Sequence, residues 1–222
     1  MEYAQAIHRK NDCPLTTCWG FIDGTIRGIA RPVRYQRTCY NGWKRKHCLK
    51  YHAVVTPDGL VSHLFGPVEG RRNDAHLWNE SGLQHYLEEH SFAPDGTPLQ
   101  IYGDPAYGVT RHLLSPFQGA SLTPEQQNFN RRMSAVRIVV EWVFKDIGQQ
   151  LFPFLSYVPN QRHLQQRVGL QFITATLLYN AHICLHGGQI TQFFNTTGGV
   201  APPTLEEYFH QPELEDFDPP NL

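Results

Sequence analysis

Three acidic residues stand where runs of hydrophobic sequence deliver them, and ligation of a hard cation is the chemistry they could share. Asp23 ends the run Trp19-Gly20-Phe21-Ile22, and Asp104 ends Leu99-Gln100-Ile101-Tyr102-Gly103. Glu141 lies inside Val136-Arg137-Ile138-Val139-Val140-Glu141-Trp142-Val143-Phe144. The first two runs, with their large β-formers, read as short buried strands that each release a carboxylate at the tip, and the third reads as a helix. Carboxylates brought together from three elements suit a divalent cation that takes oxygen ligands. Each acid also has a plainer reading. Asp-Gly after an apolar run is a common hairpin turn. Glu141 sits four residues after Arg137 and four before Lys145, the spacing of an ion-pair stripe on an exposed helix face. The recurrence of strand-then-aspartate, followed by an acid in an apolar helix, favours the shared site.

The elements that must hold these acids follow from the hydrophobic pattern. With 222 residues, 41% hydrophobic and 18% charged, the chain has enough sequence for one sizeable core. We expect a segment 1–16 forming the end of a helix, a catalytic-size domain over 17–190, and an acidic, Pro-rich, poorly ordered tail over 191–222. Leu49–Thr56 and Leu60–Phe65 read as strands joined by the turn Pro57-Asp58-Gly59. Thr123-Pro124-Glu125-Gln126 is a helix start, with Thr as cap and Pro at the first helical position, and the helix could run to Gly148. A last helix is expected from Arg162 to His186, stopped by Gly187-Gly188. Asp74, after Gly70-Arg71-Arg72-Asn73, is either a helix cap or an auxiliary member of the acid site. No apolar run approaches the length of a membrane span and no secretory signal opens the chain, so no membrane partner is expected. Five cysteines without a Cys-x-x-Cys pair suggest thiols in a reducing compartment.

Charge is distributed unevenly. All 19 Lys and Arg lie at or before Arg167, with 14 acids, whereas six acids and no base follow. Between Thr25 and Pro57 there is no acid at all, yet Arg27, Arg31, Arg34, Arg37, Lys44, Arg45, Lys46 and Lys50 fall there, interleaved with Tyr35, Tyr40 and Trp43. Any one of these could be a solvated loop residue. As a block they suit a nucleic-acid groove, cations for phosphates and aromatic faces for exposed bases.

Taken in order, four segments resemble the catalytic domain of DDE-type transposases of the PIF/Harbinger group. They are Phe21-Ile22-Asp23-Gly24-Thr25, Gly70-Arg71-Arg72-Asn73-Asp74-Ala75, Tyr102-Gly103-Asp104-Pro105-Ala106-Tyr107 and Val139-Val140-Glu141-Trp142-Val143-Phe144. The resemblance covers roughly residues 17–186. It implies an α/β, RNase H-like fold, a mixed β-sheet flanked by helices, with Asp23, Asp104 and Glu141 as catalytic acids and metal ligands at one edge. Pro105 stands where the family more often has a small residue. The helix-turn-helix that many relatives carry at the N-terminus is absent from this sequence, so a separate DNA-binding protein is an expected partner, with homo-oligomerisation a further possibility.

The implied reaction is phosphodiester hydrolysis in DNA, or strand transfer when a DNA 3′-hydroxyl replaces water. Such chemistry uses two divalent ions about 3.5–4 Å apart, Mg²⁺ or Mn²⁺ as substitute, with carboxylates as their ligands. The same resemblance places the protein in the nucleus of a eukaryote, or otherwise inside the cell. Two rivals stand beside it: a transposase-derived nuclease or binding factor on the same fold, and a non-enzymatic nucleic-acid module built on the basic block. A phosphatase-like metallohydrolase is weaker, because no His-rich metal motif accompanies the acids.

Overall fold

A long antiparallel pairing sets the centre of the molecule. In this computed structural model, which describes residues 1–195 and 200–210, β1 (Cys18–Gly28) pairs with β3 (Lys46–Val55) from Phe21↔Val55 to Gly28↔Cys48. β4 (Val61–Glu69) adds antiparallel to β3, while β5 (Gln100–Tyr102) lies parallel to β1 and β6 (Leu113–Leu114) parallel to β5. The short β2 (Tyr40–Asn41) forms a hairpin with the first residues of β3. The sheet is therefore mixed, with β1 between β3 and β5.

Helices cover both faces, and strand alternation decides which residues meet them. Phe21, Tyr51, Ala53, Val55 and Tyr102 share a core with residues of α1 (Glu2–Arg9), α5 (Pro124–Lys145), α6 (Val168–His186) and α7 (Gln189–Asn195). Their neighbours Ile22, Val54, Ile101 and Leu113 pack instead on Trp78 of α3 (Asp74–Glu80) and on Leu83 and Leu87 of α4 (Leu83–His90). Two further α-helices are short, α2 (Gln36–Cys39) and α8 (Leu205–Phe209). This is the mixed sheet between helices of an RNase H-like fold, as the resemblance implies.

Several boundaries differ from the sequence reading, each for a packing reason. β1 does not stop at Asp23-Gly24: with β3 alongside, the pairs Asp23↔Ala53 and Gly24↔His52 continue the ladder, and no turn forms. The strands at the expected hairpin extend to Lys46–Val55 and Val61–Glu69, joined by a turn in which Asp58 Oδ1 accepts from the Thr56 hydroxyl at 2.6 Å and the Leu60 N–H at 3.1 Å. The capping box at Thr123 and Gln126 starts α5 as expected, and Gly187, with φ 66°, follows the end of α6. α6 begins at Val168 rather than Arg162. It is also 19 residues long with a mean hydropathy of 1.3, so by length and composition alone one run does reach membrane-spanning size. Its Phe172, Ala175, Tyr179 and Ile183 are buried in the protein core, which explains the apolar composition. Burial of each large side chain among them contributes roughly 1.5–3 kcal/mol.

Part of the expected tail is packed. Thr191 and Phe194 of α7 are buried, and Asn180 Nδ2 donates to the hydroxyl of Tyr208 on α8 at 2.9 Å. Residues 196–199 and 211–222, the remainder of that tail, lie outside the described residues. At the other end, α1 and the following turn bury Ile7 and Cys13 in the core, so residues 1–16 pack with the domain.

Candidate functional site

Asp23 sits within β1 on the face turned towards α5. Its Oδ1 accepts from the Gly24 N–H at 2.8 Å, and its Oδ2 lies 3.3 Å from Nη1 of Arg137. Burial raises its carboxyl to about 6; Arg137 and the Gly24 N–H pull it down, while Asp104 and Asp74 push it up. The parallel pairing Phe21↔Tyr102 brings the end of β5 alongside. There Asp104, in extended conformation, caps the turn Pro105–Tyr107 with Oδ1 accepting from the Ala106 N–H at 2.9 Å. The expected position of Asp104 after a strand is found, and its extended backbone is the one a following proline favours.

Asp74 joins them from the opposite face. The cap of α3 is Asn73, whose Oδ1 accepts from the His76 N–H at 2.9 Å, and this leaves the Asp74 carboxylate free to turn over Gly24. A Cβ at Gly24 would overlap Asp74 Oδ1 and come within 3.4 Å of the Tyr107 hydroxyl. Lys50, in register with Ile26 on β1, places Nζ 2.9 Å from Asp74 Oδ1 and donates to the Arg72 carbonyl at 3.1 Å. The Tyr107 hydroxyl is buried and has no hydrogen-bond partner among the described residues. Burial and the charges of Asp74, Asp23 and Asp104 drive its pKa upwards, so it remains a protonated donor beside three carboxylates.

Asp23, Asp74 and Asp104 line one cavity of about 440 Å³, shared with Lys44, Lys50, Arg71, Arg72 and Trp43. Acids and cations thus meet in one recess. A larger cavity of about 870 Å³ opens beside α4, but Glu89 is the one acid lining it.

Glu141 does not line the acid cavity. The buried stripe Met133, Val136, Val140 and Val143 orients α5 so that Arg137 faces Asp23, and Glu141, one turn further on, is exposed. Nor does it form the alternative ion-pair stripe: among the described residues no salt bridge links Glu141 to Arg137 or Lys145. The structure therefore brings together Asp23, Asp104 and Asp74, and leaves Glu141 at the margin.

The basic block divides in two. Arg27 points inward: its guanidinium carbon lies 4.3 Å from the Phe172 ring centre and Nη2 donates to the Phe144 carbonyl at 3.2 Å. Burial lowers its pKa to about 10. Arg27 is thus a packing residue rather than part of an exposed groove, and Lys50 is a buried partner of Asp74. Arg31, Arg34, Arg37, Lys44, Arg45 and Lys46 are exposed, with Arg31 bonded to Gln36 Oε1 at 2.9 Å.

The donor chemistry suits an oxygen-seeking divalent cation, since three aspartates line one cavity. As they stand, Asp23 and Asp74 are each matched by a side-chain cation. Among the described residues no three His, Cys, Asp or Glu side chains already enclose a metal position. A cation entering would replace Lys50 and Arg137 as partners of the acids. The sequence reading missed the roles of Arg137, Lys50, Tyr107, Arg71 and Arg72. The one signal within its reach was the Gly70–Asp74 segment, which matches a family motif and supplies both arginines and Asp74.

Comparison with known proteins gives the family. Residues 22–180 match the family described as DDE superfamily endonuclease. The chain is 29% identical over 171 residues to the "Probable transposase for insertion sequence element IS702" of Microchaete diplosiphon, covering 74% of this chain and 57% of that protein. The chain spans little more than half the length of this curated relative. No solved structure matches.

Proposed function

Because this chain belongs to the DDE superfamily endonuclease family, we propose that it is the catalytic domain of a DNA transposase or transposase-derived nuclease, of PIF/Harbinger type by its motifs. The observation that carries the reading is the recess in which Asp23, Asp74 and Asp104 face Lys44, Lys50 and Arg71. Phosphodiester cleavage needs both halves: oxygen ligands for divalent cations, and positive charge for the phosphates on either side of the scissile bond.

Asp23 and Asp104 are the proposed primary metal ligands, with Asp74 beside them. Bound Mg²⁺, or Mn²⁺ in its place, would supply stabilisation of the charge that develops on the phosphate. The chain's own groups do the rest. The Ala106 and Gly24 N–H groups orient Asp104 and Asp23, and Lys50 holds Asp74 over Gly24. Lys44 and Arg71 hold the strand. Glu141 is the proposed third acid of the DDE set. On α5 it lies one turn from Arg137, so its approach to Asp23 requires Arg137 to give way. The expected site of action is wherever the cell keeps its DNA, the nucleus in a eukaryote.

A separate DNA-binding protein is proposed to supply sequence choice. A second copy of this chain is proposed to dock on α6, where Leu170, Leu177, Leu178 and Leu185 are about half exposed on a helix face without Lys, Arg, Asp or Glu. Leu170 and Leu177, like Leu178 and Leu185, are one heptad apart, a spacing that suits antiparallel helix pairing.

The test is nicking of supercoiled DNA with and without Mn²⁺, together with the shift in melting temperature that Mn²⁺ produces. Wild type should nick and be stabilised by the metal. Asp23→Asn and Asp104→Asn should lose both effects, and Glu141→Gln should fold normally but lose nicking. Full activity in Glu141→Gln would remove Glu141 from the site. Retained metal stabilisation in the Asp23→Asn, Asp104→Asn double variant would overturn the metal site. Salt-dependent DNA binding with neither nicking nor metal stabilisation would favour a non-catalytic binding factor.

A further inference from the structure

Among the aromatic residues of the basic block, Trp43 is 88% exposed and lines the same recess as Asp23, Asp74 and Asp104, yet the proposed reaction gives it no part. It occupies the tip of the β2–β3 hairpin, immediately before Lys44, Arg45 and Lys46. A single exposed apolar residue usually needs no explanation. The turn that carries this one is held in place. Asn41 Oδ1 accepts from the Lys44 N–H at 2.8 Å, closing the turn, and Asn41 Nδ2 donates to the Gly70 carbonyl at 2.7 Å. Gly70 is drawn in so tightly that a Cβ there would stand 2.5 Å from the Cys39 carbonyl and 2.6 Å from that of Cys48. At the base of the hairpin, Tyr40 packs edge-on against His47 at 5.3 Å. The tip is therefore braced against the loop that delivers Asp74, while the indole stays in water.

A pre-positioned flat apolar surface, flanked by three cations and set beside the acids, matches a ligand that is flat and apolar at one end and anionic at the other. That is a nucleotide with an unstacked base. A base inside a duplex has both faces covered by its neighbours, so a flipped, terminal or single-stranded base is needed. We propose that Trp43 is the stacking platform for one unpaired nucleobase next to the phosphate held in the acid recess, so that the enzyme prefers DNA locally opened at the cleavage position. This rests on the DNA-processing reading and adds to it the form of the substrate. The brace makes the platform effective, because little loop freedom remains to be lost on binding.

The test uses the full chain with divalent metal chelated, so that binding is read apart from cleavage. Two probes carry 2-aminopurine, one in a single-stranded overhang and one in continuous duplex. Wild type should change the fluorescence of the overhang base and bind that probe more tightly than the duplex. Trp43→Ala should weaken overhang binding roughly 5- to 150-fold, the range that loss of one aromatic stacking partner covers, and leave duplex binding unchanged. Trp43→Phe should restore most of the loss. Since the side chain is exposed, the melting temperatures of both variants should match wild type. Equal overhang affinity in wild type and Trp43→Ala, with salt-dependent duplex binding intact, overturns the platform and leaves the DNA reading standing. Failure of wild type to bind either probe at low salt overturns both.

Discussion

Adding one methyl group at Gly24 tests whether Asp74 belongs to the site. Gly24 lies opposite His52 in the β1–β3 ladder, where Ala is ordinarily the better residue, by roughly 0.5–1 kcal/mol. Here the methyl would overlap Asp74 Oδ1, and overpacking of this kind costs about 1–3 kcal/mol. If the carboxylate swings away, Lys50 loses its ion-pair partner. Breaking a fully buried pair costs about 3–5 kcal/mol, and the loss is smaller at a partly hydrated one. The Asp74 side chain is 25% exposed and the Lys50 side chain 10%, so water can recover part of it. Gly24→Ala should therefore destabilise the protein by about 1–3 kcal/mol, and metal-dependent nicking should fall to the level of Asp74→Asn. The discriminating assay is a double-mutant cycle by urea unfolding. In an Asp74→Ala background the overlap is gone, and Gly24→Ala should become neutral or slightly stabilising. Additivity of the two changes within about 0.5 kcal/mol would mean the residues do not interact, and the placement of Asp74 over Gly24 would be wrong.

The two classes of cation in the basic block should separate experimentally. Replacing Lys44, Arg45 and Lys46 with Ala should flatten the salt dependence of DNA binding by up to about 2.7 in log–log slope, if each meets one phosphate. Arg27→Met should instead lower stability by roughly 1–3 kcal/mol through the Phe144 carbonyl left without its donor, with the slope unaltered; a changed slope would return Arg27 to the DNA face. His52 and His63, with their Nε2 atoms 3.3 Å apart, predict acid sensitivity. Burial lowers the His52 pKa to about 3 and that of His63 to about 4, so both are neutral in the fold. Below the unfolded value of about 6.5 the unfolded chain takes up protons that the native state does not, so stability falls as pH drops from 7 towards 4. For the fully buried His52 alone the loss from pH 7 to pH 5 is about 2 kcal/mol. His52→Phe should make the acid limb of a stability–pH curve shallower, and an unchanged limb would show that His52 is protonated in the fold. On the proposed docking face, Leu177→Glu should convert a dimer to a monomer by light scattering; a wild-type monomer at high concentration would refute that surface.

What could be read from the linear sequence was what local chemistry controls. The runs before Asp23 and Asp104, the Thr123 capping box, the turn at Asp58-Gly59 and the helix stop at Gly187 each follow from residue type and spacing over a few positions, and each element is found. The four motifs in order were enough for the DDE family and its RNase H-like architecture, though not for the PIF/Harbinger group within it. The readings that failed locally are those where a distant segment decided the outcome. Asp23-Gly24 resembles a turn until β3 provides antiparallel partners as far as Cys48, and Arg27 resembles a DNA contact until α6 places Phe172 beneath it.

The membership of the site was decided by tertiary structure alone, because it depends on which face each residue presents and on what packs there. Asp23 and Gly24 are adjacent in sequence but point to opposite faces of the sheet, so Arg137 reaches one from α5 while Asp74 crosses the other from α3. Nothing in the spacing of Lys50 and Asp74 predicts a 2.9 Å ion pair; the β1–β3 register and the cap at Asn73 produce it. Glu141 shows the same limit from the other side. Sequence places it among apolar residues, but the angle at which Met133, Val136, Val140 and Val143 seat α5 on the sheet turns Arg137 inward and leaves Glu141 at the edge. Residue type determined the chemistry available to this protein, and the packing of two helices on opposite faces of one strand determined which carboxylates meet.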